Sequence, residues 1–495
     1  MFNVLKSVSK HTIIYGIGDM LGKGLSLILL PLYLRYLNPE EYGTLDLLDM
    51  TTYIVSILLA VGISQAVMRF YFEYQEKECR DRVVSVAMLS LWGISLTALP
   101  ILWLNADFFS NLVFDSPDYK HYFVIIFSSM VVGLINEVPR SLMRIKQQSI
   151  TYITVSIIRM SIAFTLNILF VVKFEMGIKG VLFGNLISQL VIGAIMSIWV
   201  LRQIKLSWSF KLLKSLVSYS FPLAWTWIAM FVLNYGDRFL LQKLAGLYEV
   251  GLYSLAYKFG MLANMLILYP FMQTWFPKQF EIANEPDSNK TYAQVFTYFT
   301  FVMIFCSLGI MILAHDTVRI IGAEDYHDAT PFVPVILLAY LAYGIYNFVQ
   351  FGIHYKKKTK YLGLSTLLVA VINVCLNLLL IPKLKIWGAT IATGVSFVLL
   401  PIIIFPISQR LYHIPYQYVR LLKLLIVAGL LYYLTSLIHL GTPIADLLVK
   451  LPIALSYPLA LYLTGFYTDQ EKNKVVEITR QLVRLITKWV RGNSG

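Results

Sequence analysis

The sequence is poor in charge. Charged residues make up 14% of the 495-residue chain, whereas soluble globular proteins carry about 25%. Hydrophobic residues reach 58% and are gathered into long runs instead of short stripes. This composition excludes an ordinary soluble domain, and it predicts a chain that lies mostly within a membrane.

Cysteine and catalytic motifs are scarce as well. The three cysteines, Cys79, Cys306 and Cys375, lie too far apart in sequence to suggest a metal site or a disulfide framework. The seven histidines fall in loops or at the ends of apolar runs, and the sequence has no H-E-x-x-H, G-x-S-x-G or P-loop pattern. We therefore expect neither an enzyme nor a cofactor or metal ion.

What the sequence has in abundance is apolar runs of membrane length. A helix that crosses a bilayer needs roughly 20 apolar residues, and about fourteen such runs occur. They lie near 12–34, 44–67, 83–104, 122–142, 150–172, 180–201, 216–236, 250–273, 293–314, 331–353, 361–382, 386–409, 417–437 and 446–466. The predicted fold class is an all-α polytopic membrane protein with about 14 transmembrane helices.

Lys and Arg indicate the orientation of these spans. Most of them fall in the segments that are cytoplasmic when the N-terminus is inside, which is the positive-inside bias. Both termini are then cytoplasmic. The basic cluster at 356–360 is expected to face anionic membrane lipids, with no role in binding nucleic acid.

The first twelve spans form an internal repeat of six plus six. Glu41-Tyr42-Gly43 matches Glu249-Val250-Gly251, and Gly180 matches Gly388, both at an offset of 208 residues. An even number of spans per copy predicts two lobes related by a pseudo-two-fold axis along the membrane normal. The predicted domains are an N-lobe at 1–205, a C-lobe at 206–412, two extra helices at 413–467 and a cytoplasmic amphipathic tail at 468–495.

Several charges lie inside the apolar runs, where an ionised group is costly and usually functional. Span one contains Asp19 and Lys23, span five contains Arg159 and span eight contains Lys258. If the three cations converge between the lobes, they form a cationic cleft for an anionic, lipid-linked sugar. An internal ion pair in span one, and snorkelling of the other two cations to the membrane surface, are the alternatives.

Polar stripes follow one face of span two and one face of span ten, with the same offsets. Their members are Asp46, Asp49, Tyr53 and Ser56, and Tyr340, Tyr343, Asn347 and Gln350. We expect Tyr343 and Asn347 to contact sugar, and Asp19, Asp46, Asp49 and Asp237 to be cleft acids or to couple transport to an ion gradient. Two such stripes, one in each half, favour a shared water-filled cleft; hydrogen-bonding seams between helices are the alternative, and a simple interface anchor is the alternative for Asp237-Arg238.

Three stretches of the chain resemble bacterial polysaccharide-unit flippases. Arg35-Tyr-Leu-Asn-Pro-Glu-Glu-Tyr-Gly43 is similar to their R-x-L-x-P-x-E-Y-G outer turn. Ser220-Phe-Pro222 with Gly236-Asp-Arg-Phe-Leu240, and Glu249-Val-Gly-Leu-Tyr-Ser-Leu-Ala-Tyr-Lys258, are similar to their seventh and eighth spans. The chain thus resembles the polysaccharide transporter branch of the multidrug/oligosaccharidyl-lipid/polysaccharide exporter superfamily.

This resemblance implies a flippase in the bacterial cytoplasmic membrane. It would move undecaprenyl-diphosphate-linked oligosaccharide by alternating access of two lobes, for O-antigen, capsule or exopolysaccharide, with H⁺ or Na⁺ and polysaccharide-assembly proteins as further partners. Related lipid II flippases place Arg on spans one and eight, where this chain has Lys23 and Lys258. The alternatives are a cation-coupled multidrug exporter of the same superfamily and a polysaccharide polymerase or ligase, for which the outer loops are short.

Overall fold

The computed structural model describes residues 28–283 and 285–473, and within them every regular element is a helix. In chain order the α-helices are α1 (Leu30–Tyr36), α2 (Pro39–Ala60), α3 (Ile63–Glu73), α4 (Lys77–Leu104), α5 (Ala106–Phe114), α6 (Lys120–Ile135), α7 (Glu137–Ile145), α8 (Ser149–Asn167), α9 (Gly177–Leu201), α10 (Phe210–Ala245), α11 (Leu247–Ala263), α12 (Tyr269–Ile282), α13 (Ser288–Ile321), α14 (Val333–Val349), α15 (Phe351–Tyr355), α16 (Lys360–Leu384), α17 (Ile386–Leu411), α18 (Tyr418–Ser436), α19 (Pro443–Leu455) and α20 (Tyr457–Leu463). Short 3₁₀ stretches lie at Pro117–Tyr119 and Glu324–Phe332, and π-helical stretches at Ile168–Lys173 and Asn264–Leu268.

The helices belong to two compact units. Among the described residues, unit 1 comprises residues 28–272 and Ile321–Leu411, and unit 2 comprises Gln273–Ile320, without residue 284, and residues 412–473. The predicted boundaries between lobes, extra helices and tail stay predictions.

The prediction of an all-α polytopic membrane protein is confirmed. Eleven helical stretches of the described chain are long and apolar enough to cross a membrane, and α19 with α20, bent by 42° at their junction, adds a twelfth if the pair counts as one span. The predicted seventh span lies within α10, and the predicted first span lies almost wholly outside the described residues. The count of fourteen stays a prediction.

The motif at 35–43 determines where α2 begins. Asn38 accepts a hydrogen bond from the backbone N–H of Glu41, and the Glu41 carboxylate accepts one from the Asn38 N–H. This reciprocal capping box satisfies two of the N–H groups that a helix start leaves free, and Pro39 occupies the first turn, where its missing N–H costs nothing. The capped start holds the first turn of α2 in place against α11.

Helices α2 and α11 cross with their backbones nearly in contact. A Cβ atom added to Gly43 would lie 2.5 Å from the Leu247 carbonyl oxygen, and one added to Gly251 would lie 1.9 Å from the Pro39 oxygen. Gly43 and Gly251 are equivalent positions of the 208-residue repeat, so two copies of the same element meet each other here. Such mutual contact is what a pseudo-two-fold axis passing through the crossing produces.

The two halves of the repeat also share local structure. Asn167 and Asn377 are fully buried, and each donates a hydrogen bond from Nδ2 to the carbonyl four residues earlier, at 2.7 and 2.9 Å. Gly180 and Gly388 each pack against the backbone of the preceding helical segment, with a built Cβ 3.0 and 2.6 Å from carbonyl carbons there. The internal sequence repeat therefore corresponds to a repeated helix–turn–helix packing.

Unit 2 contains its own buried ion pair. The Lys450 ammonium on α19 lies 2.8 Å from Asp316 on α13 and 3.8 Å from Asp446, and all three side chains are buried. Near the end of the described chain, Arg420 makes two hydrogen bonds to Glu471, which also caps the helix that starts after Thr468. Of the predicted amphipathic tail at 468–495, the structure describes residues 468–473.

Candidate functional site

A buried ion network joins α2 to α10. The Arg238 Nε lies 2.7 Å from Asp46 Oδ2, and its NH1 lies 3.3 Å from Asp237 Oδ1. Arg238 is 2% exposed, and both carboxylates are buried as well. Two acids thus share one guanidinium, whose fork of N–H donors suits two separate partners.

Hydroxyl groups donate further hydrogen bonds to both carboxylates. Tyr253 and Thr393 donate to Asp237 Oδ2 at 2.5 and 3.1 Å, and Ser254 donates to Asp46 Oδ2 at 2.7 Å. The Tyr257 ring lies below the Arg238 guanidinium, 4.2 Å from ring centre to Cζ. This pairing matters because removing one partner of a buried ion pair costs about 3–5 kcal/mol, most of it from the charge left behind.

A cavity of about 430 Å³ lies alongside this network, within unit 1. It is lined from α2, α6, α7, α8 and α9 by Asp49, Thr52, Tyr53, Ser56, Ile126, Ser129, Met130, Gly133, Leu134, Glu137, Arg140, Arg159, Leu182, Asn185 and Gln189. Its volume is in the range of small-molecule binding sites. The mixture of polar and charged side chains is unusual for helices that pass through lipid.

The charges in this cavity are not paired with each other. Within the described residues, Asp49, Glu137, Arg140 and Arg159 form no ion pair and no side-chain hydrogen bond. Two acids and two cations thus face the same space with unused hydrogen-bonding capacity. Groups of this kind, held inside apolar helices, are usually retained to bind a ligand or an ion.

A second cavity of about 180 Å³ extends the first toward α1 and α11. Arg159, Asp49, Leu182 and Asn185 line both cavities, and Lys258 joins them in the second. Lys258 also lies close enough to Asp49 for the two charges to interact. Together the cavities form a continuous polar region, which we call the cleft; its cations are Arg140, Arg159 and Lys258.

The structure separates the residues predicted from the sequence. Arg159, Lys258 and Asp49 come together in the cleft, and Asp46 both lines the smaller cavity and pairs with Arg238 in the ion network. Asp237 belongs to the network and lines neither cavity.

Tyr343 and Asn347 line neither cavity. Asn347 donates to the Tyr343 carbonyl at 2.8 Å, and the Tyr343 ring packs 5.4 Å from Phe397. Asp19 and Lys23 lie outside the described residues.

Sequence reasoning missed Arg238 as a partner of Asp46, and it missed Glu137 and Arg140 altogether. Glu137 and Arg140 are spaced i,i+3 at the inner end of the predicted fourth span. Charges at the end of a span are usually interpreted as anchors at the membrane interface. A signal for them was available, since both precede the predicted end of that apolar run at residue 142. Arg238 offered no such signal, because its pairing to Asp46 depends on tertiary contact.

The family comparison covers more than half of the chain. The model for the polysaccharide biosynthesis protein family matches residues 8–283. Among curated proteins, the succinoglycan biosynthesis transport protein ExoT of Rhizobium meliloti (strain 1021) is 21% identical over 322 residues, which are 64% of this chain. The chain spans 63% of that relative's length.

Solved structures with the same fold include two classes of transporter. A lipid II flippase MurJ in an inward closed conformation superposes with a TM-score of 0.73, at 15% identity, over 92% of this chain and all of its own. An inward-facing multidrug transporter of the MATE family gives 0.63, at 13% identity, over 81% of this chain and 97% of its own. At these identities the likeness establishes the fold alone.

Proposed function

This chain belongs to the polysaccharide biosynthesis protein family, and from that premise we propose that it is a flippase for lipid-linked oligosaccharide units. Its cargo would be a polyprenyl-diphosphate-linked oligosaccharide used for O-antigen, capsule or exopolysaccharide. The observation that supports this cargo most directly is the cleft, where unpaired cations and neutral polar groups share one space among membrane helices. The names of the relatives, a succinoglycan transport protein and a lipid II flippase, agree with such a cargo.

The cations of the cleft are suited to the diphosphate. Arg159 lines both cavities, Arg140 lines the larger one and Lys258 lines the smaller one. A guanidinium can bind phosphate oxygens in a bidentate manner, and an ammonium adds a point charge. Lys23, which we predict from the sequence to join them, would add a fourth cation from the first span.

The neutral groups are suited to the sugar. Tyr53, Ser129, Asn185 and Gln189 line the larger cavity and offer hydroxyls and amides at several heights along the helices. Hydroxyl-rich ligands bind through many such hydrogen bonds. The lipid tail would remain in the bilayer beside the cleft.

The buried network fits the closed side of an alternating-access cycle. With the predicted orientation, both termini are in the cytoplasm, the first turn of α2 is on the outer side of the cytoplasmic membrane, and Asp46 and Arg238 lie in the outer half. Their pairing, with the α2–α11 crossing beside it, would hold the outer side shut while the cleft accepts cargo from inside. Opening outward then requires this network to separate, which is a two-state change of the kind that transporters use.

Coupling of transport to H⁺ or Na⁺ stays a proposal. Among the described acids predicted from the sequence, Asp49 is best placed for it, because it lines the cleft without an ion pair whereas Asp46 and Asp237 are held by Arg238. Interaction with polysaccharide-assembly proteins is likewise proposed from the family alone. Among the described side chains, no arrangement suggests that the protein breaks or forms a covalent bond.

Replacement of two cleft cations tests the proposed function. The double variant Arg159→Ala, Lys258→Ala should lower polysaccharide export in the host cell at least tenfold, with lipid-linked units accumulating on the inner leaflet, because the diphosphate loses its main counter-charges. Lys211→Ala, at an exposed lysine outside the cleft, is the matched control and should export normally.

Normal export by the double variant at a normal protein level would refute the cation-cleft mechanism. Drug resistance conferred on a susceptible strain, without any effect on polysaccharide, would instead favour the multidrug exporter. Polymer formed in cells that have no other polymerase would favour an enzyme.

A further inference from the structure

The α2 wall of the cleft offers hydrogen-bond acceptors and few donors. The Thr52 hydroxyl donates to the carbonyls of Leu48 and Asp49, at 3.1 and 2.9 Å, and the Ser56 hydroxyl donates to the Tyr53 carbonyl at 2.7 Å. A hydroxyl has one proton to give, so both side chains present only lone pairs to the cavity. Asp49 stands on the same wall, and an ionised carboxylate accepts hydrogen bonds without donating any.

The helices α6, α7 and α9 add further acceptors to the lining. Gln189 donates from Nε2 to the Ser129 hydroxyl at 3.2 Å, which leaves the Ser129 O–H as a donor. The Gln189 Oε1 lies against Gly133, where a built Cβ would come within 3.2 Å of it. Glu137 lines the cavity from α7, and within the described residues its carboxylate forms no hydrogen bond or ion pair. Two carboxylates and several lone pairs therefore await donors from a ligand.

The donors of the cleft are grouped on its cations. Arg140, Arg159 and Lys258 carry most of the N–H groups that face the two cavities, with Asn185 between them. A ligand that satisfies the whole cleft needs an anionic part for the cations and a donor-rich, uncharged part for the acids. A sugar carrying a carboxylate would place a third negative charge beside Asp49 and Glu137, where the low dielectric strengthens repulsion.

We propose that Asp49 and Glu137 make the cleft select uncharged, hydroxyl-rich sugars and reject sugars that carry a carboxylate. This inference rests on the proposed flippase function, and it adds the chemical class of the glycan. Sugar hydroxyls donate to the two carboxylates and to the lone pairs of α2, while the diphosphate is held by the cations. Rejection of acidic sugars follows from the unmatched acceptors, which is how a site discriminates against a near-isosteric ligand.

Three probes test this selectivity: farnesyl diphosphate, farnesyl-diphosphate-linked glucose and farnesyl-diphosphate-linked glucuronic acid. The two glycolipids differ at C6, which is a hydroxymethyl group in one and a carboxylate in the other. Dissociation constants are measured by calorimetry on the purified full-length protein in lipid nanodiscs. We expect the glucose probe to bind at least tenfold more tightly than the glucuronic acid probe.

Variants assign this preference to the two acids. Asp49→Asn with Glu137→Gln should reduce the difference between the glycolipids to less than threefold, mainly by improving binding of the acidic probe. Glu73→Gln, at an exposed acid of α3 outside the cleft, is the matched control and should keep the full preference. If the double variant fails to fold, Asp49→Asn alone should still lower the preference at least twofold.

The outcomes separate this inference from the proposed function. If none of the three probes binds the wild-type protein, the flippase function fails. Equal binding of the two glycolipids, or a preference for glucuronic acid, overturns the selectivity and leaves the flippase function standing. A glucose preference that survives in every acid variant also overturns it, since the preference then arises elsewhere.

Discussion

Asp46 and Asp49 lie one turn apart on α2 and both line the smaller cavity, but of the two only Asp46 forms an ion pair among the described residues. Asp46 is buried, pairs with Arg238 at 2.7 Å and accepts a hydrogen bond from Ser254. Asp49 faces the cleft, and within the described chain its carboxylate forms no hydrogen bond or ion pair. Two aspartates three positions apart therefore contribute in different ways, Asp46 to the ion network and Asp49 to the free charges of the cleft.

The ion network and the cleft therefore have different roles: the network joins helices, and the cleft binds a ligand. In the network every charge has an opposite charge of the protein within 2.7–3.3 Å, and separating these charges is expensive. In the cleft the charges have capacity to spare, so a ligand can supply what the protein leaves out. We expect the network to govern stability and the closed state, and the cleft to govern cargo binding.

Loss of Arg238 should have the largest effect on stability. Arg238→Ala leaves Asp46 and Asp237 buried without their counter-charge, and we expect the free energy of unfolding to fall by about 3–5 kcal/mol. Titration of the protein in mixed micelles with a denaturing detergent measures this change. Arg238→Lys keeps the charge but not the fork that reaches both acids, so it should fall between Arg238→Ala and wild type. A loss below about 1 kcal/mol for Arg238→Ala would show that the network does not hold the helices together.

The second largest effect on stability is expected at the crossing of α2 and α11, beside the ion network. Gly251→Ala places a Cβ that would lie 1.9 Å from the Pro39 oxygen, which is a backbone atom and cannot turn aside. Helices α2 and α11 must separate, and overpacking of this kind costs about 1–3 kcal/mol. Gly93→Ala is the control within α4, because a Cβ there meets nothing within 4 Å, and alanine should raise helix stability by up to about 1 kcal/mol. Equal melting temperatures for the two variants would mean that the close crossing is not required.

The architecture was largely predictable from the sequence, because the apolar runs and the internal repeat at an offset of 208 residues can both be identified without a structure. Gly43 and Gly251 were matched by motif, and the structure places them in contact with each other's helices. The capping box at Asn38 follows the same logic, since residues three apart at a helix start can satisfy each other's backbone groups.

The site was predictable where a charge stood alone in an apolar run. Arg159 and Lys258 carry that signal, Asp49 was identified as part of the polar stripe of span two, and all three line the cleft. The partner of Asp46 could not be predicted, because Arg238 lies in the other half of the repeat and no spacing rule links the two. Glu137 and Arg140 were obscured by the uncertain end of the fourth span, where a charge that faces a cavity resembles one that anchors a helix to the interface.

Loss of a single cleft charge should have the smallest effect on stability. This variant tests the difference between the cleft and the ion network most directly. Arg159 forms no ion pair within the described residues, so Arg159→Ala removes a repulsion from Arg140 without exposing a buried partner. We expect the free energy of unfolding to change by about 0.5 kcal/mol or less, while export falls several-fold because the diphosphate loses the cation shared by both cavities. Detergent titration and an export assay on the same preparation measure both effects. A loss of stability as large as that of Arg238→Ala would show that the cleft charges also stabilise the fold. The distinction between a stabilising network and a cargo-binding cleft would then be wrong.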